Sequence, residues 1–221
     1  MGGTCERHEL LSRKATTVAI ADDRVAGILL AAGGATRFGA DKLAVDLNGR
    51  TVLQWSAESM LGAGLDPVLA VVRPGTGPPL PDRVRPVVNP RWRAGIATSV
   101  RAGLEALDGE TGVCAAIVAP ADQPWCGAEV HRRLLDAFRR SGRGVVVAMF
   151  DGAVRNPVLL ARSQWPLAGR IEGDTGLSAV VRALSPLTVE CADIGSVHDI
   201  DTPDDLTRGR AGGPAPEGVD R

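Results

Sequence analysis

The chain has 221 residues, a length that suits one domain with a sound hydrophobic core. Hydrophobic residues make up 44% and charged residues 23%, as in an ordinary folded protein, and an aromatic content of 3% leaves aliphatic side chains to fill the core. A formal net charge of −1 argues against broad nucleic-acid binding, which needs a basic face, but leaves room for a local cationic pocket. Cys5, Cys114, Cys126 and Cys191 are widely spread with no CxxC pair, which gives neither a zinc site nor a disulfide framework, so buried and reduced thiols are expected. No apolar run approaches a membrane span, and Cys5–Arg24 mixes in charges where a signal peptide would have an apolar core. A cytoplasmic protein with no membrane or nucleic-acid partner is expected.

In chain order, residues 1–24 are weakly patterned and read as an N-terminal tail. Val25–Leu30 is a short apolar run that predicts a strand. Thr51–Leu61 has helical spacing through Val52, Leu53, Trp55 and Met60. Val68–Val72 and Arg85–Val88 read as strands, and Ile96–Leu107 as a helix with Val100, Leu104 and Leu107 on one face. Ala115–Ala119 is another buried strand and Val130–Phe138 a helix. Val145–Phe150 and Pro157–Leu160 read as strands, and Leu177–Leu184 as a helix. The working domain is 25–207, and the Gly- and Pro-rich stretch 208–221 is expected to be disordered. Strands alternating with helices imply an α/β fold, a mostly parallel sheet covered on both faces. Ligands of such sheets bind beyond the C-terminal strand ends, here after Leu30, Val88, Ala119 and Phe150.

Leu30-Ala31-Ala32-Gly33-Gly34-Ala35-Thr36-Arg37-Phe38-Gly39-Ala40-Asp41-Lys42 follows the first strand. Small residues let a backbone approach a ligand closely, successive N–H groups can cradle phosphate oxygens, and Arg37 and Lys42 add positive charge. The segment is neither a Walker A loop, because Lys42 falls two residues late, nor GxGxxG. In Cys114–Pro124, Asp122 lies just past a buried strand. It reads either as a ligand of a hard cation such as Mg²⁺ or as a turn residue beside Pro124. Gly173-Asp174-Thr175-Gly176 reads as a turn capping the next helix. Thr202–Asp205 reads as a helix start, with Asp201 just outside it. Trp92, between Arg91 and Arg93, is expected to anchor its loop against the core, stacking on a ligand ring being the alternative. His131 and His198 have no metal-ligand spacing, and Arg132 and Arg133 read as a solvated helix face.

The glycine-rich segment resembles the LAAGxSxRxGxxK signature of the MobA-like nucleotidyltransferases, with Ala35 in place of the usual Ser. Pro120–Pro124 resembles the family's metal-binding PxDxP element, and Asp199–Leu206 its DIDTPxDL element. Asn89–Ser99 resembles NPxWxxGxxxS of the branch that transfers cytidylate to molybdopterin. Two departures stand out: GDTGLS where the family often has GDxGAR, and Asn156 where relatives carry His before Pro157. The resemblance spans most of Val25–Leu206. It implies a three-layer α/β/α domain of the nucleotide-diphospho-sugar transferase type, Rossmann-like, around a mixed, mainly parallel sheet. It further implies nucleotide contacts from Leu30, Ala31, Ala32, Gly33, Gly34, Arg37, Lys42, Asn89, Gly95 and Ser99, and catalysis by Lys42, Arg37 and Asp122. Metal ligation falls to Asp122 and Asp201, an acceptor contact to Asp174, and the cofactor is Mg²⁺. The implied substrates are CTP and a molybdopterin-type cofactor, with a molybdenum hydroxylase receiving the product. GTP or another acceptor, or a non-catalytic carrier of the molybdenum cofactor, are the alternatives.

Overall fold

The computed structural model describes residues 23–33, 41–75, 77–174, 177–202, 204 and 205. Residues 1–22 and 206–221, which take in most of the two expected tails, lie outside them. The chain runs β1 (Arg24–Ala31), β2 (Asp46–Leu47), β3 (Arg50–Thr51), α1 (Val52–Gly62), β4 (Val68–Val72), β5 (Val84–Val88) and α2 (Ile96–Glu105). There follow β6 (Val113–Pro120), α3 (Gly127–Ser141), β7 (Val145–Phe150), β8 (Ala153–Ala161), α4 (Trp165–Ala168), α5 (Ser178–Ala183) and β9 (Leu187–Glu190). The main sheet has seven strands in the order β5-β4-β1-β6-β8-β7-β9. Only β8 runs against its neighbours, since it pairs antiparallel with both β6 and β7 while the remaining pairs are parallel.

Successive residues of the central strands face opposite layers, as the period of two requires. Leu29, Ile117, Val146 and Leu159 pack with Leu53, Trp55 and Met60 of α1 and Val130, Leu134 and Phe138 of α3. Ile28, Val118, Val147 and Leu160 pack with Val100 and Leu104 of α2, Trp165 of α4 and Val181 of α5. The result is the three-layer, mainly parallel architecture expected, with apolar runs where a strand is covered on both faces. Two glycines set how closely the layers meet. A Cβ on Gly27 of β1 would lie 2.7 Å from Met60 Sδ, and one on Gly103 of α2 would lie 2.6 Å from Ile28 Cγ2.

Local chemistry fixes the element ends. Thr51 opens α1 with a reciprocal capping box: its hydroxyl accepts from the Gln54 amide (3.1 Å) and the Gln54 side chain accepts from the Thr51 amide (2.8 Å). Gly142 ends α3 in the left-handed region at φ 62°, its N–H bonded to Phe138 O. Asp151 and Gly152, both at positive φ, form the tight turn between β7 and β8. This hairpin carries β8 four residues further toward its N-terminus than the predicted Pro157 start. Asn156 and Pro157 fall at the irregularity in the β7–β8 register, as a residue without an N–H demands. Arg133, expected on a solvated face, instead holds Asp193 (2.6 and 3.0 Å) and the Glu190 carbonyl (2.9 Å), tying α3 to the turn after β9. Cys126 and Cys191 are buried free thiols, Cys114 is half-buried, and Cys5 lies outside the described residues.

His131 is a buried residue of α3, with its Nε2 3.2 Å from Ser59 Oγ. Ser59 Oγ already donates to Ser56 O (2.8 Å), so the imidazole is the donor to Ser59 and is neutral, with Nδ1 left without a hydrogen-bond partner among the described residues. Burial pushes its pKa down from 6.5 to about 4. The unfolded chain therefore takes up this proton at higher pH than the folded one. The stability held by the neutral ring is fully present above pH 6.5 and is lost as pH falls toward 4. A loss of about 3 kcal/mol is expected across that window. Denaturant titrations at several pH values check it, and His131→Gln should flatten the dependence.

Candidate active site

β1 has β4 on one side and β6 on the other, so chain connections diverge at the C-terminal ends of β1 and β6. A cavity of about 570 Å³ opens there. Leu30, Ala32 and Gly33 form its β1 side, Pro120 and Asp122 its β6 side, Trp92, Arg93, Gly95, Ile96 and Ser99 the approach to α2, and Asp174 its rim. The structure thus brings together five of the ten residues expected to contact nucleotide, Leu30, Ala32, Gly33, Gly95 and Ser99. Ala31 turns its methyl into the core instead. Gly34 and Arg37 lie outside the described residues.

Lys42 begins a 3-10 turn, Lys42–Ala44, capped by Asp41, whose side chain accepts from the Leu43 amide. From there its ammonium reaches Asp122 Oδ2 at 2.6 Å and Asp201 Oδ1 at 2.8 Å. Burial works against this charge, but the hydrogen bonds Lys42 donates to the two carboxylates, and its attraction to them, outweigh it and raise the lysine pKa. Asp122 Oδ1 is buried and has no hydrogen-bond partner among the described residues. Two carboxylates that converge on one positive charge, one of them with free buried lone pairs, fit a hard divalent cation. Such an ion takes one or two carboxylates and completes its shell with water and substrate phosphates. Among the described residues no group of three or more His, Cys, Asp and Glu is placed to hold a metal ion.

Asp199, Ile200 and Asp201 alternate. Ile200 is fully buried and its amide donates to Asp122 O (3.1 Å). On one side Asp201 meets Lys42, and on the other Asp199 accepts from Gln123 Nε2 (2.7 Å) and lines a second cavity of about 790 Å³. Burial, with the charges of Asp122 and Asp201, raises the Asp199 pKa against the hydrogen bond from Gln123. The second cavity also takes in Arg155, Asn156, Arg182 and His198. Asp205 accepts from the amides of Asp201 (3.1 Å) and Thr202 (2.8 Å), the helix-start chemistry expected of this segment.

Two expectations change. Asn89 is buried behind the cavity wall, where its Nδ2 donates to Thr98 Oγ1 (2.8 Å) and Ser99 Oγ (3.0 Å) and its Oδ1 accepts from the Arg91 amide (2.9 Å). It shapes the entry to α2 and leaves Ser99 to face the cavity. Asp174 also acts away from the helix that follows it. Its Oδ1 accepts from the Ile96 amide (3.2 Å) and the neighbouring Gly173 carbonyl accepts from Ala97 (3.1 Å), so the turn caps α2 from across the site.

Residues 27–188 match the MobA-like NTP transferase domain family. The chain belongs to that family. As a MobA-like nucleotidyltransferase it is 28% identical over 193 residues to the purine catabolism protein PucB of Bacillus subtilis, covering 81% of this chain and 92% of that one. It is 28% identical over 200 residues to nicotine blue oxidoreductase of Paenarthrobacter nicotinovorans, covering 83% and 95%. It is 33% identical over 178 residues to a probable molybdenum cofactor guanylyltransferase of Mycobacterium tuberculosis, covering 76% and 85%. Among solved structures it shares its fold with Rv0371c of M. tuberculosis in complex with manganese (TM-score 0.66, 23% identity, covering 84% and 97%). The same holds for 2-C-methyl-D-erythritol 4-phosphate cytidylyltransferase of Thermus thermophilus (TM-score 0.63, 23% identity, covering 85% and 98%).

This MobA-like transferase places further residues at the site that sequence reading passed over or misjudged. Trp92 is half-buried in the cavity wall, with the Arg93 guanidinium 4.4 Å from its ring centroid, so it is no core anchor. Gln123 links the Asp122 loop to Asp199. Arg73, directly after β4, reaches the ends of the glycine-rich segment. The strand-end rule would have found Arg73, had it been applied after Val72.

Proposed function

We propose that this transferase moves CMP from CTP to the terminal phosphate of a molybdopterin-type cofactor with release of pyrophosphate. The observation that carries the reading is Lys42 held between Asp122 and Asp201 at the mouth of a cavity lined by Leu30, Ala32 and Gly33. An oxygen of the acceptor phosphate attacks the α-phosphorus in line, and the bond to the bridging oxygen breaks as pyrophosphate leaves. A phosphate nucleophile is already ionised near neutrality, so no general base is required. Mg²⁺ held by Asp122 and Asp201 would neutralise phosphate charge. Lys42 and the amides of the glycine-rich segment, with Arg37, stabilise charge on the leaving group, and the cavity walls hold the reactants in line.

Leu30-Ala31-Ala32-Gly33 and the Asn89–Ser99 segment support CTP as the nucleotide. Gly95 and Ser99, both in the cavity wall, are assigned the contacts to its base in this reading. The second cavity, with Arg155 and Arg182, offers the cationic side for a phosphorylated acceptor, and a molybdenum hydroxylase would receive the product. The 33% identity to a protein named as a guanylyltransferase favours GTP as the second reading. Pyrophosphate release with Mg²⁺, molybdenum cofactor and each of CTP, GTP, ATP and UTP tests both. Release with CTP alone is expected, and release with GTP alone overturns the base assignment. Cofactor binding without release from any nucleotide identifies a carrier instead.

A further inference from the structure

Arg73 makes two bonds that meet the same segment at opposite ends. Its Nη1 donates to the Gly33 carbonyl (2.9 Å) and its Nη2 to Asp41 Oδ2 (2.7 Å). Residues 34–40, the interior of the glycine-rich segment, lie between those two points. Asp41 uses its other oxygen to accept from the Leu43 amide (3.2 Å), and its carbonyl accepts from Ala44 (2.9 Å). Those bonds set the 3-10 turn from which Lys42 extends to Asp122 and Asp201.

We propose that Arg73 and Asp41 are a positioning pair that fixes the mouth of the nucleotide loop and aims Lys42. The proposal rests on the reading of this segment as the triphosphate loop. A planar guanidinium presents its donors in a rigid fork, a geometry that an ammonium on a flexible stem does not reproduce. The two side chains are only 29% and 25% exposed, and the bonds join β4 to the segment that follows β1 rather than near neighbours in sequence. Neither Arg73 nor Asp41 lines the cavity itself, and Arg73 meets it only through the carbonyl of the lining residue Gly33. The pair's effect is carried by the positions of Gly33 and Asp41, so its loss weakens nucleotide binding by displacing the cavity edge at Gly33 and the turn that aims Lys42. An ion pair that served stability alone would leave nucleotide affinity unchanged.

Calorimetric binding of CTP with Mg²⁺, thermal melting and steady-state kinetics on the full chain test the pair. Arg73→Met is expected to weaken nucleotide binding by about tenfold or more, the loss of a charged hydrogen bond, with KM raised more than kcat is lowered. Arg73→Lys keeps the charge but lacks the rigid fork, and it is expected to restore binding only in part. Asp41→Asn combined with Arg73→Met should add little to either change alone. Wild-type nucleotide affinity in both Arg73 variants, or a drop in melting temperature without a change in KM, overturns the positioning pair. A wild-type protein that binds none of the four nucleotides overturns the pair and the nucleotide reading together, which separates the two failures.

Discussion

Lys42→Ala is expected to lose at least about 10³-fold in pyrophosphate release, and Asp122→Ala a similar amount, while both proteins stay folded. Lys42 is the cation that both carboxylates contact, at 2.6 and 2.8 Å, and its side chain is only 17% exposed. In the proposed reaction, removing it takes positive charge from where the pyrophosphate departs. Removing Asp122 takes away the more enclosed carboxylate, 20% exposed against 53% for Asp201, together with a buried oxygen that has no hydrogen-bond partner among the described residues. Neither side chain belongs to the two apolar clusters that hold the layers together, so melting temperatures should stay within a few degrees of wild type. Pyrophosphate release and melting curves on the same preparations decide the matter. Near-wild-type turnover in both variants removes these residues from the chemistry.

Gly95→Ala should destabilise the fold by about 2–4 kcal/mol and open the nucleotide cavity. Gly95 sits at φ 104°, and an added Cβ would lie 2.4 Å from the Gly173 carbonyl oxygen, 2.5 Å from its carbon and 2.9 Å from Asp174 Oδ1. These neighbours are backbone and a capping carboxylate, so they can relieve the clash only by moving away. That movement costs the bonds from Ile96 to Asp174 and from Ala97 to Gly173, which satisfy amides at the start of α2. Gly109→Ala, at a glycine with open space around its would-be Cβ, is the control and should change stability by less than about 0.5 kcal/mol. Equal denaturation midpoints for the two variants would contradict the close approach at Gly95.

Much of the fold can be read from short patterns. Val68–Val72 and Val145–Phe150 are strands with the boundaries that the apolar runs predict, and Val25–Leu30 differs from β1 by one residue at each end. In the main sheet, part of one strand and the whole of another escaped, for different reasons. The N-terminal part of β8 carries Arg155 and Asn156 and announces itself through the Asp151-Gly152 turn rather than through hydrophobicity. β9 is four residues at a sheet edge, alternately half-buried and exposed, too short to stand above a loop pattern. At the site, Lys42, Asp122 and Asp201 were legible because each sits in a local motif at a strand or helix end. Asn89 and Trp92 were misjudged because sequence spacing does not tell which of two polar or aromatic neighbours turns inward. Arg73 was missed because its partners belong to the segment that follows another strand.

The alternation at residues 199–201 bears on how relatives should be aligned and redesigned. Ile200 is an anchor between two compartments, and the aspartates beside it serve different clients, Lys42 on one side and the larger cavity on the other. Inserting one residue between that anchor and either aspartate would carry the carboxylate away from its partner, as a one-residue slip does in any extended segment. Two homologues can therefore retain every acidic residue here and still differ in chemistry if a gap falls between them. In this stretch, the count of residues between anchors is inherited information as much as their identity.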